Sequence, residues 1–334
     1  MPVGLLPVKL VRPHFPGEQR KNVNPSKHMS RTGRAIIVVF ALSLIAQSNH
    51  QPAAAQVPSQ TKIVLLGSGT PAIDPNLSGP ATAIVVNDTA YLVDFGPGVV
   101  RRAKGAVIER GVKALEPTRL RVVFATHLHS DHTAGYADLI FTPWTQGRRD
   151  RLEVYGPKGI RAMTEHLLEA YRVDIETRTN ADGNQRAFPD GHNVNAHEIS
   201  AGIVYKDANV TVTAFPTKHA MESYGYRFDT ADRSIVLSGD TNPTQATIDA
   251  CHGCDVLIHE VATLEWLATR PATFQAFAAK YHTTTKQLAD LANQAKPRLL
   301  ILNHHSSSSP DKLVSEIISS YSGHFVVGRD LDIY

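Results

Sequence analysis

The chain has 334 residues, 42% hydrophobic and 19% charged, a balance that excludes a disordered or fibrous protein and suffices for one sizeable core. Its formal charge of +3 resides in residues 1–55, which hold seven Lys+Arg and one Asp+Glu; the remaining 279 residues hold 27 basic and 30 acidic, a net of −3. The larger part therefore lacks the basic footprint that nucleic-acid binding ordinarily leaves.

In chain order, Arg31 and Arg34 precede an apolar run over 35–46, followed by a short polar stretch and Ala53-Ala54-Ala55. That order is a secretory signal peptide with cleavage near Ala55, and the run falls short of the roughly 20 residues a membrane span needs. The shapeless stretch before Met29 points to Met29 as the true start. Residues 1–55 are thus expected to be a leader and residues 56–334 a single periplasmic or secreted domain, with no stable membrane span after cleavage.

Strands are predicted over 61–66, 81–86 and 90–94, the last two forming a hairpin through Asn87-Asp88. A helix follows over 98–110, then an apolar strand over 121–126. A strand over 152–155 and a helix over 159–171 lead into a polar stretch, 172–201, which reads as a long loop. Further strands are predicted over 210–215, 224–229, 234–238, 256–259, 298–302 and 324–327, with helices near 243–250, 272–281, 283–295 and 310–321. Such a mixture fits two sheets packed face to face with helices outside.

Cys251 and Cys254, the two cysteines, are spaced C-x-x-C. A structural zinc would need two more ligands nearby and a redox motif a different context. At least one cysteine belongs to the core beside the strand at 256, and a local disulfide is the open alternative.

The strand at 121–126 runs into His127-Leu128-His129-Ser130-Asp131-His132, four ligand-type residues in six positions. Neutral imidazole and carboxylate bind Zn²⁺ or a similar divalent ion without thiols. A polar loop that is rich in histidine by chance is the weaker reading. Other ligand-type residues follow strand ends: His219 after 210–215, Asp240 after 234–238, and His304 or His305 after 298–302.

In these segments the chain resembles the metallo-β-lactamase fold superfamily, in the branch of ribonuclease Z (the tRNA 3′-processing endonuclease) and the zinc-dependent arylsulfatases. The resemblance rests on Leu66-Gly67-Ser68-Gly69-Thr70-Pro71, Tyr91-Leu92-Val93-Asp94-Phe95-Gly96-Pro97-Gly98, the histidine run, and His219 with Gly225-Tyr226. Ser238-Gly239-Asp240-Thr241, Ile258-His259-Glu260, His282-Thr283-Thr284 and Leu302-Asn303-His304 complete it. It spans about residues 61–333 and implies an α/β fold, the four-layer αββα sandwich, as a single domain. It also implies two zinc ions, with manganese or iron as substitutes. His127, His129 and His219 would hold one ion, Asp131, His132 and His304 the other, and Asp240 would bridge both. His304 is preferred over His305 by its place after the strand. Asp131 and His282 are the expected catalytic residues, His282 at the start of a helix over 283–295.

The activity expected from the resemblance is ester hydrolysis by a hydroxide shared between the metals. Export and the acidic balance of 172–207, unlike the basic arm of ribonuclease Z, favour an arylsulfatase-like enzyme acting on a small-molecule ester. A ribonuclease Z-like phosphodiesterase is the alternative and a lactonase or β-lactamase a weaker one. Nucleic acid is disfavoured as a partner, and a homodimer is left open.

Overall fold

The computed structural model describes residues 61–180, 188–305 and 309–334; the expected leader lies outside them. The first half of the domain builds a six-stranded sheet in the order β1 (Thr61–Gly67), β2 (Ala81–Val86), β3 (Thr89–Val93), β4 (Val122–Phe124), β5 (Leu152–Gly156), β6 (Val194–Glu198). The second half builds a seven-stranded sheet from β7 (Gly202–Lys206), β8 (Thr211–Pro216), β9 (Tyr224–Asp229), β10 (Ser234–Leu237), β11 (Val256–Val261), β12 (Leu299–His305) and β13 (Phe325–Val327), with β7 and β13 at its edges.

Residue parity sorts the apolar side chains into layers, because successive side chains of a strand point to opposite faces. Ile63, Leu65, Ile84, Tyr91 and Phe124 of the first sheet meet Val212, Tyr226, Phe228, Ile235, Ile258 and Ile301 of the second between the sheets. The alternate positions Val64, Ala83, Leu92 and Val123 face the helices α1 (Val99–Arg110), α3 (Tyr136–Thr145) and α4 (Ile160–Ala170). On the far side, Val236, Leu257, Leu300 and Leu302 pack against α6 (Gln245–Cys251), α9 (Thr285–Ala295) and α10 (Pro310–Ile318). Strands with both faces covered are continuously buried, as β11 is, and its residues are apolar apart from His259 and Glu260 towards its C-terminal end. The result is the expected four-layer αββα sandwich. Cys251 and Cys254 are both buried and are joined as a disulfide.

The polar stretch 172–201 departs from the expected loop. It opens with helix α5 (Arg172–Thr179), which buries no side chain and is laced by Arg178–Asp174 and Arg172–Glu176 ion pairs one turn apart. It closes with β6, an edge strand whose residues are only half-buried. Neither element carries the apolar period by which the others are legible. Short helices α2 (Ser130–Thr133) and α7 (Leu264–Ala268), and the buried α3, lie outside the predicted elements. Helix α8 (Ala272–Tyr281) lies where a helix was predicted. Among the described residues no helix is long and apolar enough to cross a membrane.

Candidate metal centre

The histidine run leaves the end of β4 and enters α2, while His219 follows β8, Asp240 follows β10 and His304 lies within β12. Their ligand atoms converge. One group comprises His127, His129, His219 and Asp240, and another Asp131, His132 and His304, each with its atoms within 4.8 Å of one another. His129 Nδ1 lies 3.0 Å from His127 Nε2 and 3.1 Å from His219 Nε2.

Hydrogen bonds from behind fix three of these rings. Asp94 Oδ2 accepts from Thr126 Oγ1 at 2.9 Å, so the spent hydroxyl accepts from His127 Nδ1 at 3.0 Å. Asp94 Oδ2 also accepts from His132 Nδ1 at 2.8 Å, and the Tyr281 carbonyl accepts from His219 Nδ1 at 3.1 Å. Each bond places the proton on Nδ1 and leaves the Nε2 lone pair aimed into the cluster, the arrangement found behind metal-binding imidazoles. Asp94 itself has a φ of 61°, a left-handed conformation rare for a residue with a side chain. Gly239 has a φ of 60°, and a Cβ there would meet the Thr126 side chain at 2.8 Å, so the turn that delivers Asp240 requires glycine.

Asp240 faces both groups. Its Oδ1 lies 3.3 Å from His132 Nε2 and 3.6 Å from His304 Nδ1, while Oδ2 lies 4.0 Å from His127 Nε2. His132 Nε2 and Asp240 Oδ1 are buried without a hydrogen-bond partner. Such orphaned polar atoms are costly unless something else satisfies them. A pair of divalent ions fits this donor set, and the arrangement is that of a dinuclear metal site.

The choice between His304 and His305 is made by a β-bulge. In the parallel pairing of β11 with β12, Glu260 faces Asn303 and Val261 faces His305, so His304 is the extra residue. It adopts a φ of 44°, and its Nε2 lies 3.2 Å from Asp131 Oδ2. His305 turns away, Nε2 donating to the Gly328 carbonyl at 3.2 Å.

Electrostatics divide the rings. Burial holds His127 far below the usual imidazole range and His219 down at about 4, and burial lowers His129 as well. Neutral imidazole is the ligand form. Burial also opposes charge on His132 and His304, but Asp240, with Asp94 at the first ring and Asp131 at the second, outweighs it and raises both.

His282 caps the C-terminus of α8, ahead of α9, whose capping box is Thr284 with Gln287. It is therefore a turn residue between helices rather than the start of one. Its Nδ1 donates to Glu260 at 2.9 Å and lies 4.0 Å from Asp240 Oδ2. Burial alone would lower this ring, but the Glu260 carboxylate, then Asp240, hold it up at about 9. Glu260 and Asp94 received no role from the sequence. Their signal is a buried carboxylate at the C-terminal end of an otherwise apolar strand, where a charge needs a partner.

His129, Asp131, Asp240, Glu260, His282 and His304 form the floor of a cavity of about 680 Å³. Thr70–Ala72 line one side and α7–α8 the other, with Trp266, Arg270, Phe274 and Phe277.

Residues 89–305 match the family described as the Beta-lactamase superfamily domain. The chain is 31% identical over 279 residues to "Ribonuclease Z" of Mycobacterium bovis (strain BCG / Pasteur 1173P2), covering 81% of this chain and 96% of that one. It is 33% identical over 250 residues to "Ribonuclease Z" of Mycobacterium sp. (strain KMS), covering 73% and 84%. Among solved structures, the metallo-beta-lactamase fold protein YhfI from Bacillus subtilis superposes with a TM-score of 0.62 at 19% identity, covering 82% of this chain and 99% of that one. Human tRNase Z, short form, gives 0.60 at 20%, covering 82% and 98%. These two share the fold. The ribonuclease Z relatives overturn the expectation of an arylsulfatase-like enzyme and of a small-molecule ester as partner. That expectation rests on an expected leader, which would speak only to an address, and on the mean charge, which reports an average field rather than the chemistry of the site. The chain belongs to the metallo-β-lactamase superfamily, in its ribonuclease Z branch, and is a metal-dependent hydrolase of ester bonds.

Proposed function

We propose that this protein is a ribonuclease Z-type phosphodiesterase that cuts RNA, with the 3′ end of a tRNA precursor as its substrate and zinc as its metal. The reading is carried by the likeness to ribonuclease Z over 96% of that relative's length. It is supported by an Asp240 carboxylate that faces both ligand groups at once. His127, His129 and His219 would hold one ion and Asp131, His132 and His304 the other, with Asp240 between. When bound, the ions would activate water as a nucleophile and neutralise charge on the phosphoryl group.

The chain's own residues do the rest. Thr126, Asp94 and the Tyr281 carbonyl orient the imidazoles, so little reorganisation accompanies reaction. Asp131, on the cavity floor, orients and deprotonates the attacking water. His282, held protonated by the Glu260 carboxylate at Nδ1, lines the cavity, where it donates a proton to the leaving oxygen or stabilises its charge.

The test is a single set of assays on the purified chain loaded with zinc, using a tRNA precursor with a 3′ trailer, a nitrophenyl phosphodiester and nitrophenyl sulfate. Cleavage at the 3′ junction is expected, with about two zinc per chain by elemental mass spectrometry and loss of activity on chelation. Asp240→Ala should lower the zinc count and abolish cleavage. A fully metallated chain that turns over the sulfate and no RNA would overturn the reading.

A further inference from the structure

The wall of the cavity is an unusual surface for its position. Helix α8 buries only Ala278 of its ten residues. Its outward aromatics join α7 in a continuous ladder, with ring centroids 5.6 Å apart for Trp266–Phe274, 6.1 Å for Phe274–Phe277 and 5.7 Å for Phe277–His282. The ladder therefore begins at the rim and ends at a floor residue. The Arg270 guanidinium lies 4.9 Å over the Trp266 ring. It donates only to Thr269 Oγ1 and the structure gives it no carboxylate partner among the described residues.

Exposed aromatics on a helix more often await burial against a protein than a ligand. Three observations favour a ligand here. These rings line the same concavity as the candidate metal ligands rather than an outer face, and its volume lies in the ~300–1,000 Å³ range of ligand cavities. The Arg270 guanidinium among the rings meets no carboxylate among the described residues and complements a phosphate. The part of the chain after residue 55 has a net charge of −3, so its average field gives RNA no general attraction and individual contacts count for more. Base-on-aromatic stacking is such a contact, and it suits any base because each has a π face.

Resting on the ribonuclease reading, we propose that Trp266, Phe274 and Arg270 form a stacking subsite for one unpaired nucleotide that flanks the scissile phosphate. The base lies on the aromatic ladder and the guanidinium meets the adjoining phosphate.

The experiment measures kcat/KM on RNA in which an abasic ribonucleotide replaces each nucleotide flanking the cut in turn, for the unsubstituted chain, Trp266→Ala, Phe274→Ala and Trp266→Phe. One abasic position should cost the unsubstituted chain about 5- to 150-fold, the worth of one stack. Trp266→Ala and Phe274→Ala should lose a similar factor on intact RNA, carried by KM, and be indifferent to that abasic position. Trp266→Phe should recover most of the loss, and all variants should keep their zinc. Fully additive losses, or an unsubstituted chain indifferent to every abasic position, would overturn the subsite while leaving the ribonuclease reading standing. A dimer lost in Trp266→Ala with unchanged RNA kinetics would assign the face to a second copy of the chain. No cleavage of any RNA would remove the ribonuclease reading and the subsite with it.

Discussion

The floor of the cavity holds its side chains by hydrogen bonds from behind, whereas the wall sets partly exposed rings against one another. On the floor, His127, His132 and His219 each have Nδ1 engaged by a fixed acceptor, and the sharp backbone at Asp94, Gly239 and His304 is over-determined by neighbouring strands. On the wall, Trp266, Phe274 and Phe277 are half-buried or exposed, and their rings meet one another. Chemistry needs ligand atoms placed to a fraction of an ångström, which buried networks supply. Recognition of one base tolerates, and profits from, rings that can adjust. The two surfaces should therefore respond differently to substitution.

The largest expected effect probes the junction of floor and wall. His282→Ala should keep both metals and lose about 10²–10⁴-fold in kcat, the usual worth of general acid–base help. The loss should be greater for RNA, whose leaving alkoxide is poor, than for a nitrophenyl ester. Glu260→Gln should lose less, because the amide oxygen still accepts from Nδ1 but without the charge that holds the imidazole protonated. Zinc counts beside single-turnover rates check this. If His282→Ala sheds a metal, His282 is a ligand and the division of floor from wall is misplaced.

A smaller effect tests the support behind the floor. Asp94 is buried away from the cavity and touches His132 and Thr126 rather than any substrate. Removing such an outer partner typically costs 10–100-fold in metal affinity. Asp94→Ala should therefore raise the zinc dissociation constant by about that factor in a chelator competition, with the rate restored at saturating zinc. A variant whose affinity is unchanged would mean that the rings hold their tautomers without it.

The floor was legible in the sequence because its ligands are chemically distinctive and sit where apolar strands stop. Every residue from His127 to His304 named as a ligand is brought to the cluster. What escaped was geometry without chemistry. The bulge that separates His304 from His305 has no signature in one chain, since it arises from pairing with β11 across the three intervening helices α7, α8 and α9. The roles of Asp94 and Glu260 appear only when their partners, 38 and 22 residues away, fold against them. The wall was invisible for a different reason. Phe274 and Phe277 fall within the helix predicted over 272–281 with nothing in the sequence to mark them, and only the three-dimensional exposure of α8 separates them from the buried leucines of α9.

That separation gives the smallest and most direct test. Leu288 of α9 is fully buried against Leu257 and Leu300 of the second sheet, so Leu288→Ala should cost about 2–5 kcal/mol through lost contacts and the cavity left behind. Phe277 is a larger side chain, but it is 36% exposed. Its removal forfeits only part of the transfer free energy of a buried phenyl ring and leaves a space that water already reaches, so Phe277→Ala should cost under about 1.5 kcal/mol. Urea unfolding followed for both variants, with equal slopes, gives the comparison directly. If the phenylalanine proves as costly as the leucine, the wall is as firmly packed as the core. The adjustable surface proposed for a nucleobase would then be a structural one.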